Sequence, residues 1–285
     1  MPPGRRRTPR DPLERIVRQA DRVRAGDDAP LAATSGFPSV DRVLGGGFRK
    51  QDLIVLAGDV ASGKSSLALA IAVRASRAGV PVLYLSAEME PERLLERAVA
   101  FEARVTIDDL RHGRLEDEAR SAVGAAALGL RGTTLALRPM LGQSFAEITD
   151  ALRLVPRPEL VIIDALQDVA PPRDSAQREE RVARATRALK AVALEFDTAV
   201  LAVCHTPGLL AGRADMRPVL DDLGGARAIK QVADVVLALY REEMYQPGAG
   251  VEGAAELLVR KNRNGATGFV DLYFHTRWLR FEDML

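Results

Sequence analysis

Leu53-Ile-Val-Leu-Ala-Gly58-Asp-Val-Ala-Ser-Gly63-Lys64-Ser65-Ser66-Leu-Ala-Leu-Ala-Ile71 is the stretch that decides the fold class. Its first five residues are all apolar, as in a strand buried on both faces. Gly58 to Ser65 match GxxxxGK[ST], and Ser66 onward has the composition of a helix. Strand, glycine-bounded loop and helix in this order are the context a P-loop requires. The glycines let the loop curl so that successive backbone N–H groups converge on a phosphate, with a helix N-terminus behind them. Gly58, Asp59, Val60, Ala61, Ser62, Gly63, Lys64, Ser65 and Ser66 are therefore the expected nucleotide-binding set. Lys64 is expected at the β- and γ-phosphates of ATP, and Ser65 on Mg²⁺.

The pattern extends outward from this loop. Apolar runs at Val80–Leu85, Thr133–Leu137, Leu160–Ile163, Ala199–Cys204 and Val235–Leu239 are strand-like. Helical stretches at Ser65–Ala78, Pro91–Arg104, Glu116–Leu128, Phe145–Leu154 and Arg178–Phe196 lie between most of them. Such alternation predicts an α/β fold with a mainly parallel central sheet covered on both faces. Ala255–Arg263, the turn signal Asn264-Gly265 and Gly268–His275 predict a C-terminal β-hairpin.

Ligands in such sheets gather at the C-terminal ends of the strands. Asp164 follows four apolar residues there and is expected to hold Mg²⁺ with Ser65; a helix N-cap is its other reading. Glu88, after Val82–Ser86, suits a general base acting on water, or a simple dipole partner for the next helix. His205 closes the run Thr198–Cys204, level with Asp164 if the strands are neighbours. It can hydrogen-bond a γ-phosphate or serve the structure alone. Lys261 and Arg263, two apart on a strand, point to one face. They suit a γ-phosphate on an adjoining subunit, or form a solvated edge pair. Cys204 reads as a core residue.

Composition sets the limits. The 285 residues are 47% hydrophobic and 28% charged, which excludes a wholly disordered chain and fits one large domain. No apolar run reaches the length of a membrane span, and none follows the charged N-terminus as in a signal peptide. A single cysteine excludes an internal disulfide, and no paired His/Cys spacing reads as a zinc site. The expectation is a cytoplasmic chain with no membrane partner. With 40 basic against 39 acidic residues, a basic coat is excluded but a local basic groove is not. Only five of the basic residues are lysine, and two of these, Lys64 and Lys261, fall in the motifs. Residues 1–12, rich in Pro and Arg, are expected to be a flexible basic arm. Leu13, Ile16, Val17, Ala20 and Val23 have helical spacing and predict a helix over Leu13–Arg24, followed by a connector.

Taken in order, Ser35-Gly-Phe-Pro-Ser-Val-Asp41, Gly58–Ser65, Ser86-Ala-Glu-Met89, Glu102-Ala-Arg-Val105 and Leu110-Arg-His-Gly-Arg-Leu115 resemble the C-terminal motor domain of DnaB-type replicative helicases. Leu160–Asp164 with Ala165-Leu-Gln167, and Lys261-Asn-Arg-Asn-Gly265, continue the match. The resemblance implies a RecA-like P-loop NTPase fold over 35–285, with 13–34 as a linker helix and connector docking on an adjacent subunit. It implies a homo-hexameric ring, with ATP and Mg²⁺ at subunit interfaces and single-stranded DNA in the channel. The activity implied is that of an ATP-dependent DNA helicase or translocase in DNA replication, served by a helicase loader or primase. Glu88 becomes the catalytic base, and Lys261 and Arg263 the cations acting in trans. Arg173, Arg178, Arg213, Arg217 and Arg227, in loops or near their ends, are candidate DNA contacts, or solvated loop arginines. Such contacts would bind DNA in a salt-sensitive, sequence-tolerant way.

Three departures stand out. His205 occupies the position where the family usually has Gln. Asp221-Asp-Leu-Gly-Gly-Ala-Arg227 lacks the Arg-Glu pair typical after Asp-Leu. Both features, with the Lys-Asn-Arg order, are closer to RadA recombination ATPases, although the RadA zinc finger and protease-like domain are absent from this sequence. The helical N-terminal domain of full-length DnaB is also absent from it, which bears on primase recruitment and ring stability. A RadA-like branch-migration ATPase and a KaiC-like regulatory ATPase not acting on DNA are the alternative readings.

Overall fold

The computed structural model describes residues 21, 32–140, 145–155, 157–169, 178–206, 213–223, 226–248 and 250–284. The expected arm, and the expected linker helix apart from Asp21, lie outside them. From Ala32 onward the chain forms one compact unit.

A short antiparallel ribbon of β1 (Ala32–Ala33) and β2 (Phe48–Arg49) brackets α1 (Pro38–Val43). Then β3 (Leu53–Gly58) leads through the glycine-bounded loop into α2 (Lys64–Arg77). After β4 (Val82–Ser86) come α3 (Pro91–Ala103), α4 (Ile107–His112) and α5 (Asp117–Arg131), then β5 (Leu135–Pro139), α6 (Phe145–Leu154) and β6 (Leu160–Asp164). The chain continues through α7 (Arg178–Phe196), β7 (Ala199–His205), α8 (Ala226–Val232) and β8 (Val235–Tyr240). It ends in β9 (Ala254–Asn262), β10 (Gly268–His275) and β11 (Arg280–Asp283).

The strands form a nine-stranded sheet in the order β11-β10-β9-β8-β3-β7-β6-β4-β5. From β8 to β5 all neighbours are parallel, and β9, β10 and β11 add an antiparallel flank. Every residue of β3 is buried, because helices cover both faces. Ile54 and Leu56 join the cluster that holds Leu67 and Ile71 of α2. Leu53, Val55 and Ala57, pointing the other way, join Val182, Leu189 and Val192 of α7. Each fully buried side chain of this size contributes about 1.5–3 kcal/mol, so the site rests on the most rigid part of the molecule.

The expected hairpin is present but carries a third strand, β11, pairing Phe281 with Phe274. Two strand boundaries move inward by local hydrogen bonding. Val80 N–H donates to Ala75 O and Gly79 N–H to Ser76 O, ending α2 in a Schellman turn, so β4 starts after Pro81. Thr133 and Thr134 spend their hydroxyls on the carbonyls of Leu130 and Val80, so β5 starts at Leu135. Among the described residues no helix is long and apolar enough to cross a membrane.

Candidate nucleotide site

Four adjacent strand ends build the site. Pairing of β3 with β7 sets Gly58 opposite His205, and pairing of β4 with β6 sets Ser86 opposite Asp164. The two strands β6 and β7 are neighbours, as expected, but Ile163 pairs with Ala202, so His205 extends beyond Asp164 and stands level with Gly58 instead. Crossing from β3 over β7 and β6 to β4 places Glu88, two residues past its strand, across from the P-loop.

Gly63 caps α2 with φ 100°, a left-handed conformation that suits glycine, and an added Cβ would meet the Phe281 ring at 3.0 Å. At Gly58 the constraint is space: a Cβ there would meet Ser62 Oγ and Leu239 O, each at 2.9 Å. The Lys64 side chain is buried and curls back so that Nζ donates to Asp59 O at 2.6 Å. Burial pushes the Lys64 ammonium down, and the Asp164, Asp59 and Glu88 carboxylates act against that.

Asp164 is fully buried. Its Oδ2 accepts from the Tyr84 hydroxyl at 2.7 Å, while Oδ1 has no hydrogen-bond partner among the described residues. Burial pushes the Asp164 carboxyl up, and the Tyr84 hydroxyl pulls it back. Ser62 Oγ and His205 Nδ1 are likewise buried without partners. An unpaired buried acceptor facing an ammonium and two serines is a donor set that fits a hydrated cation and a polyphosphate. The helix N-cap reading of Asp164 does not hold, since a 3₁₀ turn with Ala165 as N-cap follows it.

Glu88 and His205 touch: His205 Nε2 lies 2.9 Å from Glu88 Oε1. That hydrogen bond is the main reason the Glu88 carboxyl sits below the usual range, with partial burial opposing it. Gln167 Nε2 holds the backbone beneath, donating to His205 O at 2.9 Å. Around these groups opens a cavity of about 890 Å³, lined by Lys64, Ser65, Ser66, Glu88 and His205, and also by Arg97, Arg241, Phe274, Thr276 and Leu279. The last five were not anticipated. Arg241 gave a readable signal, a charge at the end of an apolar strand like that of Asp164. It is buried, donates to Ala61 O at 3.3 Å, and lies 4.5 Å over the Phe274 ring. The others come from a helix and the β10–β11 turn, and only tertiary folding brings them here.

Lys261 and Arg263 lie elsewhere. Register puts Lys261 opposite Val236, whereas Gly58 is opposite Leu239, three residues or about 10 Å further along the same strand. Strand β9 stops at Asn262, so Arg263 belongs to the turn rather than to a shared strand face. Both side chains reach back to the C-terminal end of α8: Lys261 Nζ donates to Lys230 O and Ala233 O, and Arg263 donates to Gln231 O. Burial, then the Arg263 charge, push the Lys261 ammonium down. The pair lies at the opposite edge of the parallel strands from its own P-loop.

Of the candidate DNA contacts, Arg173 lies outside the described residues, as does the side chain of Arg178 at the start of α7. Arg213 and Arg217 depart from the expectation of open loop arginines. Arg213 donates to both Asp222 oxygens at 3.0 Å and to Arg217 O at 2.6 Å. Arg217 makes a bidentate pair with Glu256 at 2.7 and 2.5 Å and lies over Tyr240. Their guanidinium groups are committed inside the chain. Arg227 is exposed.

A P-loop entering a helix from the central strand of a RecA-like sheet, with a buried carboxylate on the next strand but one, defines the class of P-loop nucleotide-binding domains. The chain belongs to the DnaB-like helicase C terminal domain family, whose model matches residues 32–283. It is 30% identical over 266 residues to the replicative DNA helicase DnaB of Pasteurella multocida, covering 91% of this chain. The chain spans just over half, 57%, of the length of that relative. Among solved structures it resembles an ATPase domain determined on its own, with TM-score 0.87, 24% identity, and 98% and 100% of the two chains covered. A DnaB-like replicative helicase, solved with its interactions with primase, gives TM-score 0.85 at 24% identity over 99% of this chain and 69% of that one. A KaiC-like protein from Pyrococcus horikoshii OT3 reaches only 0.59 at 16% identity, over 88% and 98% of the two chains. These three structural likenesses describe the fold. The family match leaves the KaiC-like and RadA-like readings less favoured.

Proposed function

We propose that this chain is the motor domain of an ATP-dependent DNA helicase or translocase, acting as a ring on single-stranded DNA in replication. The observation that carries this reading is the split site. A cavity of about 890 Å³ holds Lys64, Ser65 and Glu88, while the cation pair Lys261 and Arg263 sits at the other edge of the same sheet. A second copy could complete what one copy lacks, which favours a homo-oligomer with nucleotide at its interfaces.

In this reading the P-loop N–H groups and Lys64 bind and orient the phosphates of ATP. Ser65 and Asp164 would hold Mg²⁺, which when bound supplies positive charge against the phosphate oxygens. Glu88 orients the attacking water and takes its proton, and His205 fixes the direction of that carboxylate. Lys261 and Arg263 bring positive charge to the γ-phosphate of a neighbouring subunit. Arg173, Arg178 and Arg227 remain the candidate DNA contacts, and a primase or a loader the candidate protein partner.

The deciding measurement is ATP turnover with and without single-stranded DNA. A several-fold stimulation that weakens with salt is expected. Turnover indifferent to DNA at low salt would overturn the motor reading in favour of a regulatory ATPase.

A further inference from the structure

Asp234 joins α8 to β8 at the edge of the sheet away from the P-loop, and it is 5% exposed. Three elements converge on its carboxylate. Oδ2 accepts from the Leu53 N–H at 2.8 Å and from Lys190 Nζ at 2.6 Å, and Oδ1 accepts from Arg263 at 3.1 Å. The Arg263 N–H also donates to Asp234 O at 2.9 Å, so backbone and side chain of one residue dock on the other. Held by Leu53 and Lys190, the carboxylate is a fixed anchor. The guanidinium it grips is 47% exposed, and its hydrogen bonds use Nη1 and Nη2, leaving the Nε–H and further N–H donors for a ligand.

We propose that Asp234 is the positioning residue for Arg263. It holds the guanidinium in the orientation presented to a neighbouring subunit, and ties it through Leu53 to the strand that ends in this subunit's own P-loop. The proposal rests on the reading of Arg263 as a cation acting in trans. A buried anchor of this kind matters because displacing a catalytic group by about 1 Å can cost about 100-fold in rate.

Mixed oligomers test it. Asp234→Asn alone should lower ATP turnover about 10- to 100-fold while leaving ATP affinity unchanged, since no P-loop residue is altered. Mixed with Lys64→Ala, whose Arg263 is intact, the Asn variant should regain turnover. Mixed with Arg263→Ala it should not, because neither partner then presents a placed guanidinium. A merely structural role acting on β3 reverses both results: recovery with Arg263→Ala, none with Lys64→Ala. That reversal, or a drop in ATP affinity alone, overturns the proposal. Asp234→Ser, shorter and uncharged, is run in parallel with thermal melts. Loss of the fold in both variants overturns the proposal too, by making Asp234 a stabiliser of the sheet. The reference mixture of Arg263→Ala with Lys64→Ala separates the two levels. If it stays inactive while mixed oligomers are shown to form, the trans reading itself fails, and the role of Asp234 falls with it.

Discussion

The two ends of the parallel sheet treat charge in opposite ways. At the P-loop end, polar atoms are buried and left unpaired: Asp164 Oδ1, Ser62 Oγ and His205 Nδ1. At the other end, Lys190, Lys261 and Arg263 are paired with Asp234 or with backbone carbonyls. A buried unpaired polar group is expensive, so a native fold keeps one where a ligand completes it. A paired but half-exposed guanidinium is held in place and can still offer donors outward. One end is thus built to receive a ligand, and the other to present a group.

Paired substitutions are the strongest way to break this comparison. Lys64→Ala removes the ammonium from the receiving end, and ATP turnover should fall below detection at any protein concentration. Arg263→Ala at the presenting end should cost about 1000-fold, in the range of arginine fingers, and ATP binding should persist. If Arg263→Ala abolished nucleotide binding as Lys64→Ala does, the two ends would not differ in the way described. Next in size, Glu88→Gln should bind ATP normally and turn it over about 100-fold or more slowly. A wild-type rate in single-turnover measurements would send the search to another carboxylate.

Smaller effects sharpen the receiving end. Tyr84→Phe removes the one donor to buried Asp164 Oδ2, and should cost about 1–3 kcal/mol in urea unfolding. An unchanged midpoint would mean that the hydroxyl contributes nothing to holding that carboxylate. The smallest expected change is in pH. His205 holds the Glu88 carboxyl below its usual range, so the base stays ionised to lower pH. His205→Ala removes that donor, Glu88 rises, and the acid limb of the kcat/KM profile should move to higher pH. Coincident limbs would separate His205 from the proton chemistry of Glu88.

How much of this was legible in the sequence differs between the two ends. The P-loop is contiguous: spacing, glycines and the flanking strand and helix are local features, and the apolar run ending in Asp164 carries its own signal. Glu88 was legible as a strand-end acid, but its contact with His205 was not, because that depends on β7 lying next to β3 and extending one turn of pleat past β6. Arg97, Phe274, Thr276 and Leu279 carry no local mark that separates them from ordinary helix and turn residues.

The sequence by itself determined the alternation of apolar strands and helices, and with it a parallel sheet, the phosphate loop and the acids at strand ends. Local chemistry suffices there, because strand, turn and helix N-terminus are fixed by neighbours in the chain. Only the tertiary structure decided which arginines are available and which are spent. Arg213, Arg217 and Arg263 look alike as sequence, yet Asp222, Glu256 and Asp234 claim them across 9, 39 and 29 positions. Ion pairing across such distances is set by how the sheet stacks its strands and where α8 ends, which no local pattern encodes.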